Sequence, residues 1–170
     1  MLPVMIKTAG LIKKAKDVQF IISQSPNVNE ETYKHMCKGF DAPLIESNIY
    51  KSLNAADFVF TSSGTVTLQI AIAEKPMLIT YITSPFTYLL GKIFVKIPYL
   101  GLVNVIAKKF IVPEMLQYEA RPERLAQKIL QIISSENEMN EMKGELRRVK
   151  NSLGSPGASK RAAEIINKML

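Results

Sequence analysis

The residues best suited to chemistry lie together in one stretch, Asp57-Phe58-Val59-Phe60-Thr61-Ser62-Ser63-Gly64-Thr65-Val66-Thr67-Leu68-Gln69. Phe58, Val59 and Phe60 form a short apolar run with polar flanks, the pattern of a strand covered on both faces. Ser62, Ser63, Gly64 and Thr65 supply turn and N-cap chemistry. From Val66 onward, Leu68, Ile70, Ala71 and Ile72 suit a buried helix. A helix that starts where a parallel strand ends aims backbone N–H groups into a crevice, a geometry suited to a phosphate or diphosphate. Gly64 lets the backbone approach such a ligand, and the hydroxyls of Ser63 and Thr65 add donors. Gln69, one helical turn on, is placed to reach a ribose hydroxyl. The same spacing also fits an ordinary strand–turn–helix joint with a solvent-facing Gln, because Ser-Gly-Thr is a short and common string.

Three further polar residues stand out. Asn104 lies amid apolar neighbours, where an amide needs partners. Glu114 and Gln117 are three apart in a short helix expected to begin at Pro113, and would share a face. Capping and solvent exposure would explain them equally well. Other chemistries are set aside. His35 is the single histidine and sits two residues from Cys37, so a catalytic triad or a His-rich metal site is not expected. There is no P-loop, no Gly-x-Gly-x-x-Gly and no Asp-x-Asp pair. No cofactor and no metal are therefore expected. The basic residues are not interleaved with aromatics, and many sit beside Glu, so nucleic acid is not an expected partner.

The elements that must position these residues read as alternating strands and helices. The spacing predicts a helix over 3–16, with Met5, Ile6, Ala9 and Ile12 on one face. Strands follow at 18–23, 43–46, 57–61 and 76–81, and helices at 29–38, 48–54 and 65–73. This alternation predicts an α/β fold with a doubly wound parallel sheet. An amphipathic helix is expected at 121–134, and a charged helix at 138–152, where Glu141 and Glu145 facing Lys143, Arg147 and Arg148 read as a solvated face. After Gly154-Ser155-Pro156-Gly157 comes a closing helix over 158–170, with Ala162, Ile165, Ile166 and Met169 facing inward. The chain thus divides into a domain over 1–153 and a closing helix over 154–170. Its 170 residues fit one domain, 47% of them hydrophobic and 22% charged, which supports a real core. One cysteine, Cys37, excludes an internal disulfide.

The net charge of +7 points to an anionic partner. Residues 84–112 are apolar and aromatic with regularly spaced lysines. Phe86, Lys92, Phe94 and Lys96 suit contact with an anionic membrane surface, the lysine stems lying along an apolar face. A buried helix with solvated lysines fits the same pattern. No run of ~18–20 apolar residues suggests a transmembrane helix, and the start does not read as a signal peptide.

Four blocks together resemble the C-terminal half of lipid-A-disaccharide synthases. They are Ala56-Asp57 through Gln69; Lys75-Pro76-Met77 with Tyr81 and Pro85-Phe86-Thr87; Leu102-Val103-Asn104-Val105-Ile106-Ala107; and Val112-Pro113-Glu114-Met115-Leu116-Gln117. The ending Gly154-Ser155-Pro156-Gly157-Ala158-Ser159 with Arg161-Ala162-Ala163 also fits. The resemblance implies the Rossmann-like, nucleotide-sugar-binding domain of a two-domain GT-B glycosyltransferase. Such an enzyme joins a UDP-linked diacylated glucosamine to diacylated glucosamine 1-phosphate, forming the lipid A disaccharide and releasing UDP. It further implies that Ser63, Gly64 and Thr65 hold the diphosphate and that Gln69 sits near the ribose. Asn104, Glu114 and Gln117 would line the donor side of the cleft. The implied partners are a UDP-sugar donor, a lipid acceptor and an anionic membrane surface, with a homodimer also to be tested. The implied place is peripheral, at the cytoplasmic face of the inner membrane of a Gram-negative-type bacterium.

The chain departs from that pattern in two ways. The family usually has Glu where this chain has Gln69, and Pro where it has Val103; Gln cannot give a charge-assisted hydrogen bond to a ribose. The stretch before Leu2-Pro3 in the family carries a strand, a Gly-Ser-Arg loop and an acceptor domain. The expectation is that this chain lacks the first, central strand of its sheet and the catalytic acid or base, whose residue stays unassigned. It would need the N-terminal half, or a separate polypeptide supplying it, for turnover. A non-enzymatic nucleotide- or membrane-binding remnant, or another GT-B UDP-sugar enzyme, is the alternative.

Overall fold

The computed structural model describes residues 1–25, 27–40, 44–62, 64–88, 99–155 and 157–169. Helix α1 (Leu2–Ala15) carries Pro3 in its first turn, where a missing N–H costs nothing, and Lys13 and Lys14 in its last, where they complement the dipole. Strand β1 (Ile21–Ser23), helix α2 (Glu30–Met36), strand β2 (Leu44–Glu46) and helix α3 (Ile49–Ala55) follow. Asn29 and Asn48 cap α2 and α3 with their side-chain oxygens, which accept from Glu31 N at 2.9 Å and Tyr50 N at 2.9 Å. Strand β3 (Val59–Ser62), helix α4 (Val66–Ile72) and strand β4 (Met77–Tyr81) form the middle of the chain. Next come α5 (Leu102–Ala107), β5 (Glu114–Leu116) and a 3₁₀ turn at Gln117–Glu119. Helices α6 (Pro122–Ile133), α7 (Glu136–Ser152) and α8 (Ala158–Met169) complete it.

All strand pairs are parallel. β1 pairs with β2 (Ile21 opposite Leu44), and β3–β4–β5 form a second sheet with β4 at its centre. Val59 lies opposite Met77, and Ile79 opposite Glu114. Met77, Leu78, Ile79 and Thr80 have no exposed surface, as expected for a central strand covered by helices on both faces. The core joins them to Ile70, Leu125, Ile129, Ile132 and Leu146, and takes in Ile12 of α1 and Leu53 of α3. The parallel α/β architecture expected from sequence is the one found.

Two expectations are corrected. Residues 113–117 are not a helix: Ile79 N–H donates to Pro113 O at 3.0 Å, and 114–116 extend the sheet beside β4. Pairing with an open strand edge outweighs the local helix signal of Pro113. Glu114 and Gln117 therefore share no helix face. The closing helix also differs, because Ala162, Ile165 and Ile166 are exposed rather than inward. Ile165 and Ile166 keep 60% and 58% of their surface open. The side chain of Met169 lies outside the described residues. The charges of α7 lie on a largely exposed face, as expected, and several of them also form ion pairs. Glu74, at φ 55° just past α4, accepts from Arg147 Nε at 2.8 Å and Lys150 Nζ at 2.7 Å. Glu145 accepts from Lys109 and Arg148, both at 2.8 Å. The pairs with Glu74 and Lys109 tie α7 to segments far away in sequence, while Arg148–Glu145 lies within the helix.

Candidate donor site at the carboxyl edge of the sheet

In a parallel sheet the ligand crevice lies beyond the carboxyl ends of the strands. Here β3, β4 and β5 end at Ser62, Tyr81 and Leu116. After β3 the chain turns sharply at Gly64, whose φ of +146° is a conformation that side chains oppose. No atom approaches an added Cβ there, so the glycine serves backbone geometry rather than space. Thr67 locks the turn: its N–H and its hydroxyl both donate to Gly64 O, at 3.2 and 2.8 Å. Thr67 is fully buried, whereas Thr65 and Gln69 are exposed. Among the described residues, Thr65 N–H meets no acceptor. Ser63 lies outside the described residues, as do Lys92, Phe94 and Lys96.

Gln117 stands just past β5 at the same end of the sheet. Its amide pairs with Thr83 in both directions: Oε1 accepts from Thr83 N–H and Nε2 donates to Thr83 O, each at 3.1 Å. The residue holds a left-handed backbone (φ 49°), uncommon for a non-glycine side chain. Thr80 Oγ1 adds a bond to Met115 O at 2.9 Å. The segment leaving β4 is thus stitched to β5, and it presents Phe86 with 71% of its surface exposed. Tyr81, Ile82 and Tyr118 are exposed nearby in sequence.

Asn104 and Glu114 are brought together, but to support backbone. Asn104 has no exposed surface. Its Nδ2 donates to Val112 O at 2.9 Å and Glu114 Oε1 at 2.8 Å, while Oδ1 accepts from Ile111 and Val112 N–H at 2.9 and 3.1 Å. Glu114 also accepts from Leu100 and Gly101 N–H at 2.8 and 2.9 Å. Its carboxylate therefore caps the start of α5, where negative charge is favoured. Gly101 is needed beneath this network, since an added Cβ would sit 2.3 Å from Ile79 Cδ1. Sequence reasoning missed Gly101, Thr67 and Thr83. Gly101 gave a signal, a glycine just before the helical run 102–107; Thr67 and Thr83 act through backbone contacts that no spacing reveals.

The arrangement offers backbone and hydroxyl groups for an anion rather than an acid–base pair. Among the described residues no three His, Cys, Asp or Glu side chains gather to hold a metal. No described helix is long and apolar enough to cross a membrane. A depression of about 210 Å³ is lined by Phe110, Val112, Lys128 and Met142 among others, and by no residue of the Gly64 turn.

The comparisons with known proteins agree in one direction. The family model described as lipid-A-disaccharide synthetase matches residues 1–169. The lipid-A-disaccharide synthase of Persephonella marina is 35% identical over 177 residues, covering 99% of this chain and 46% of that protein. That of Syntrophus aciditrophicus is 35% identical over 167 residues, covering 96% and 44%. That of Sulfurihydrogenibium sp. is 36% identical over 182 residues, covering 99% and 47%. The chain spans a little under half the length of these curated relatives. Since the match runs from α1 through α8, the chain belongs to the lipid-A-disaccharide synthase family.

Proposed function

We propose that this chain is the donor-nucleotide half of a lipid-A-disaccharide synthase. The complete enzyme would transfer diacylglucosamine from UDP to diacylglucosamine 1-phosphate, giving the lipid A disaccharide and UDP. The observation that carries the reading is the Gly64 turn. In a chain of this family it is preset at the carboxyl end of β3, held by both donors of Thr67. Ser63, Gly64 and Thr65 would take the diphosphate, and Gln69, exposed on α4, the ribose. As the sugar–phosphate bond breaks, negative charge grows on UDP, and fixed backbone donors there stabilise it without reorganising.

Asn104, Glu114 and Gln117 belong to the donor side in this reading, with a particular division of labour. The polar atoms of Asn104 are all used within the protein, so it and Glu114 hold the 99–104 segment in place. Gln117 fixes the segment after β4 against β5. In this reading the chain contributes nucleotide binding, and no acid or base of the reaction is assigned to it. Phe86, with Lys92, Phe94 and Lys96, contacts an anionic membrane surface, consistent with peripheral attachment at the cytoplasmic face of a bacterial inner membrane and with lipid substrates.

Calorimetric titration of the folded chain with UDP tests the reading, run beside Ser63→Ala and Gly64→Val. Saturable binding that both substitutions weaken is expected. A folded chain that binds no UDP, or binds it equally well in all three forms, overturns it.

A further inference from the structure

Glu74 stands where local preferences oppose it. The N–H groups of Glu74 and Lys75 donate back to Ala71 O at 2.9 Å and Ile70 O at 3.2 Å. This pattern closes α4 and usually carries glycine at its left-handed position. Glu74 holds that position at φ 55° with a full side chain. It also sets a negative charge at the carboxyl end of a helix, where the dipole favours a cation. Lys108 ends α5 in the same backbone conformation, φ 54°, with the charge the dipole prefers. A residue that goes against two local preferences at once points to a partner elsewhere.

That partner is α7. Arg147 Nε and Lys150 Nζ take one carboxylate oxygen each, Oε2 at 2.8 Å and Oε1 at 2.7 Å. The Glu74 side chain is only 22% exposed, so solvent screens these pairs less than open surface pairs. Beneath them, Ile70 and Ala71 of α4 share one buried core with Leu146 and Val149 of α7. The two ends of α4 are not independent, because the helix has only seven residues, about two turns. Ala73 N–H donates to Gln69 O at 3.1 Å. By the same helical geometry, the N–H groups of Ile70 and Ala71 address the carbonyls of Val66 and Thr67. The carbonyls of Ile70 and Ala71 in turn take the closing bonds from Lys75 and Glu74. One layer of hydrogen bonds therefore separates Glu74 from Thr67, whose N–H and hydroxyl hold Gly64 O.

We propose that Glu74 is a positioning residue for the Gly64 turn. Its double ion pair with Arg147 and Lys150 anchors the carboxyl end of α4 on α7, and the short helix carries that anchoring to Thr67 at its other end. The turn then presents the backbone of Gly64 and Thr65 in one fixed arrangement. The bearing of Glu74 on nucleotide affinity rests on the donor reading given above. The anchoring itself does not, so it is measured without nucleotide.

The test is Glu74→Gly in the full chain. Glycine relieves the left-handed backbone and removes the misplaced charge while both ion pairs are lost, so the melting temperature is expected to stay within about 3 °C. Amide exchange at Thr67 and Leu68, bonded to Gly64 O and Thr65 O, is expected to quicken by roughly fivefold or more, while Leu78 and Ile79 of β4 stay protected. Glu74→Lys combined with Arg147→Glu and Lys150→Glu rebuilds the pairs with reversed charge, and should bring that exchange back to within about twofold of the unaltered chain. Unchanged exchange at Thr67 and Leu68 in Glu74→Gly, or equal quickening in β4, would overturn the proposal. If the reversed variant does not fold, Glu74→Gly still decides. In a UDP titration the dissociation constant of Glu74→Gly should rise by a factor similar to the change in exchange. Equal affinity despite quickened exchange would overturn the positioning role. If the unaltered chain binds no UDP, the donor reading falls, while the exchange result still decides the anchoring.

Discussion

Replacing Asn104 by alanine removes four hydrogen bonds from a site with no exposed surface. The N–H groups of Ile111 and Val112 lose their common acceptor, and those residues are only 8% and 2% exposed. Each buried, unpaired backbone group costs about 1–3 kcal/mol. Water entering the vacated amide space offsets part of that, so a net loss of about 3–4 kcal/mol follows. For a domain with a total stability of about 5–15 kcal/mol this is a large fraction. It corresponds to a fall in melting temperature of roughly 6–16 °C at this chain length. Asn104→Asp, although isosteric, is also destabilising, because an oxygen replaces Nδ2 and faces Val112 O and Glu114 Oε1. Urea unfolding followed by far-UV circular dichroism at neutral pH gives both values. A loss below about 1 kcal/mol with an unchanged m-value would refute the view that this amide holds the 99–112 region.

Other consequences follow from the same contacts. Gly101→Ala drives a methyl group into Ile79 Cδ1 and is expected to cost about 1–3 kcal/mol. Adding Ile79→Val removes the clashing atom, so the double variant should be more stable than the sum of the singles predicts, a coupling that a double-mutant cycle in urea detects. The carboxyl of Glu74 is held below its usual value of 4.5, first by the hydrogen bond from Lys150 and then by that from Arg147. A carboxyl depressed in the folded state adds stability that is complete above 4.5 and disappears as pH falls through the depressed value. Glu74→Gln should therefore lower the melting temperature at pH 7 and flatten its decline below about pH 4.5; an unchanged acid profile would remove the pairing from the account. Gln117→Gly relieves the left-handed backbone but loses the amide, so amide exchange at Thr83 should quicken while β4 stays protected.

Much of this fold was legible because strand and helix signals were local. Leu78-Ile79 after Pro76, and Leu125, Ile129 and Ile132 at helical spacing, carry their own periodicity. What failed was set by distant partners. Residues 114–116 became a strand because β4 offered an open edge, which nothing within 113–117 encodes. The apolar face of α8 looked like core, yet a helical stripe says only that a partner is required. The local structure of the candidate site was legible in the same partial way. Gly64 announced itself through the polar turn between strand and helix, while Asn104 attracted notice as an amide among apolar residues. The partners of Asn104, four backbone and carboxylate groups up to ten residues away, became visible only in three dimensions.

Amide hydrogen exchange with and without saturating UDP tests the central claim most directly, because it reports where the nucleotide sits. Slowed exchange confined to the Gly64–Thr67 turn and the segment around Thr83 and Gln117 is predicted. Slowing instead around Phe110, Lys128 and Met142, or at no amide despite saturation, would contradict a donor site at the carboxyl edge of the sheet.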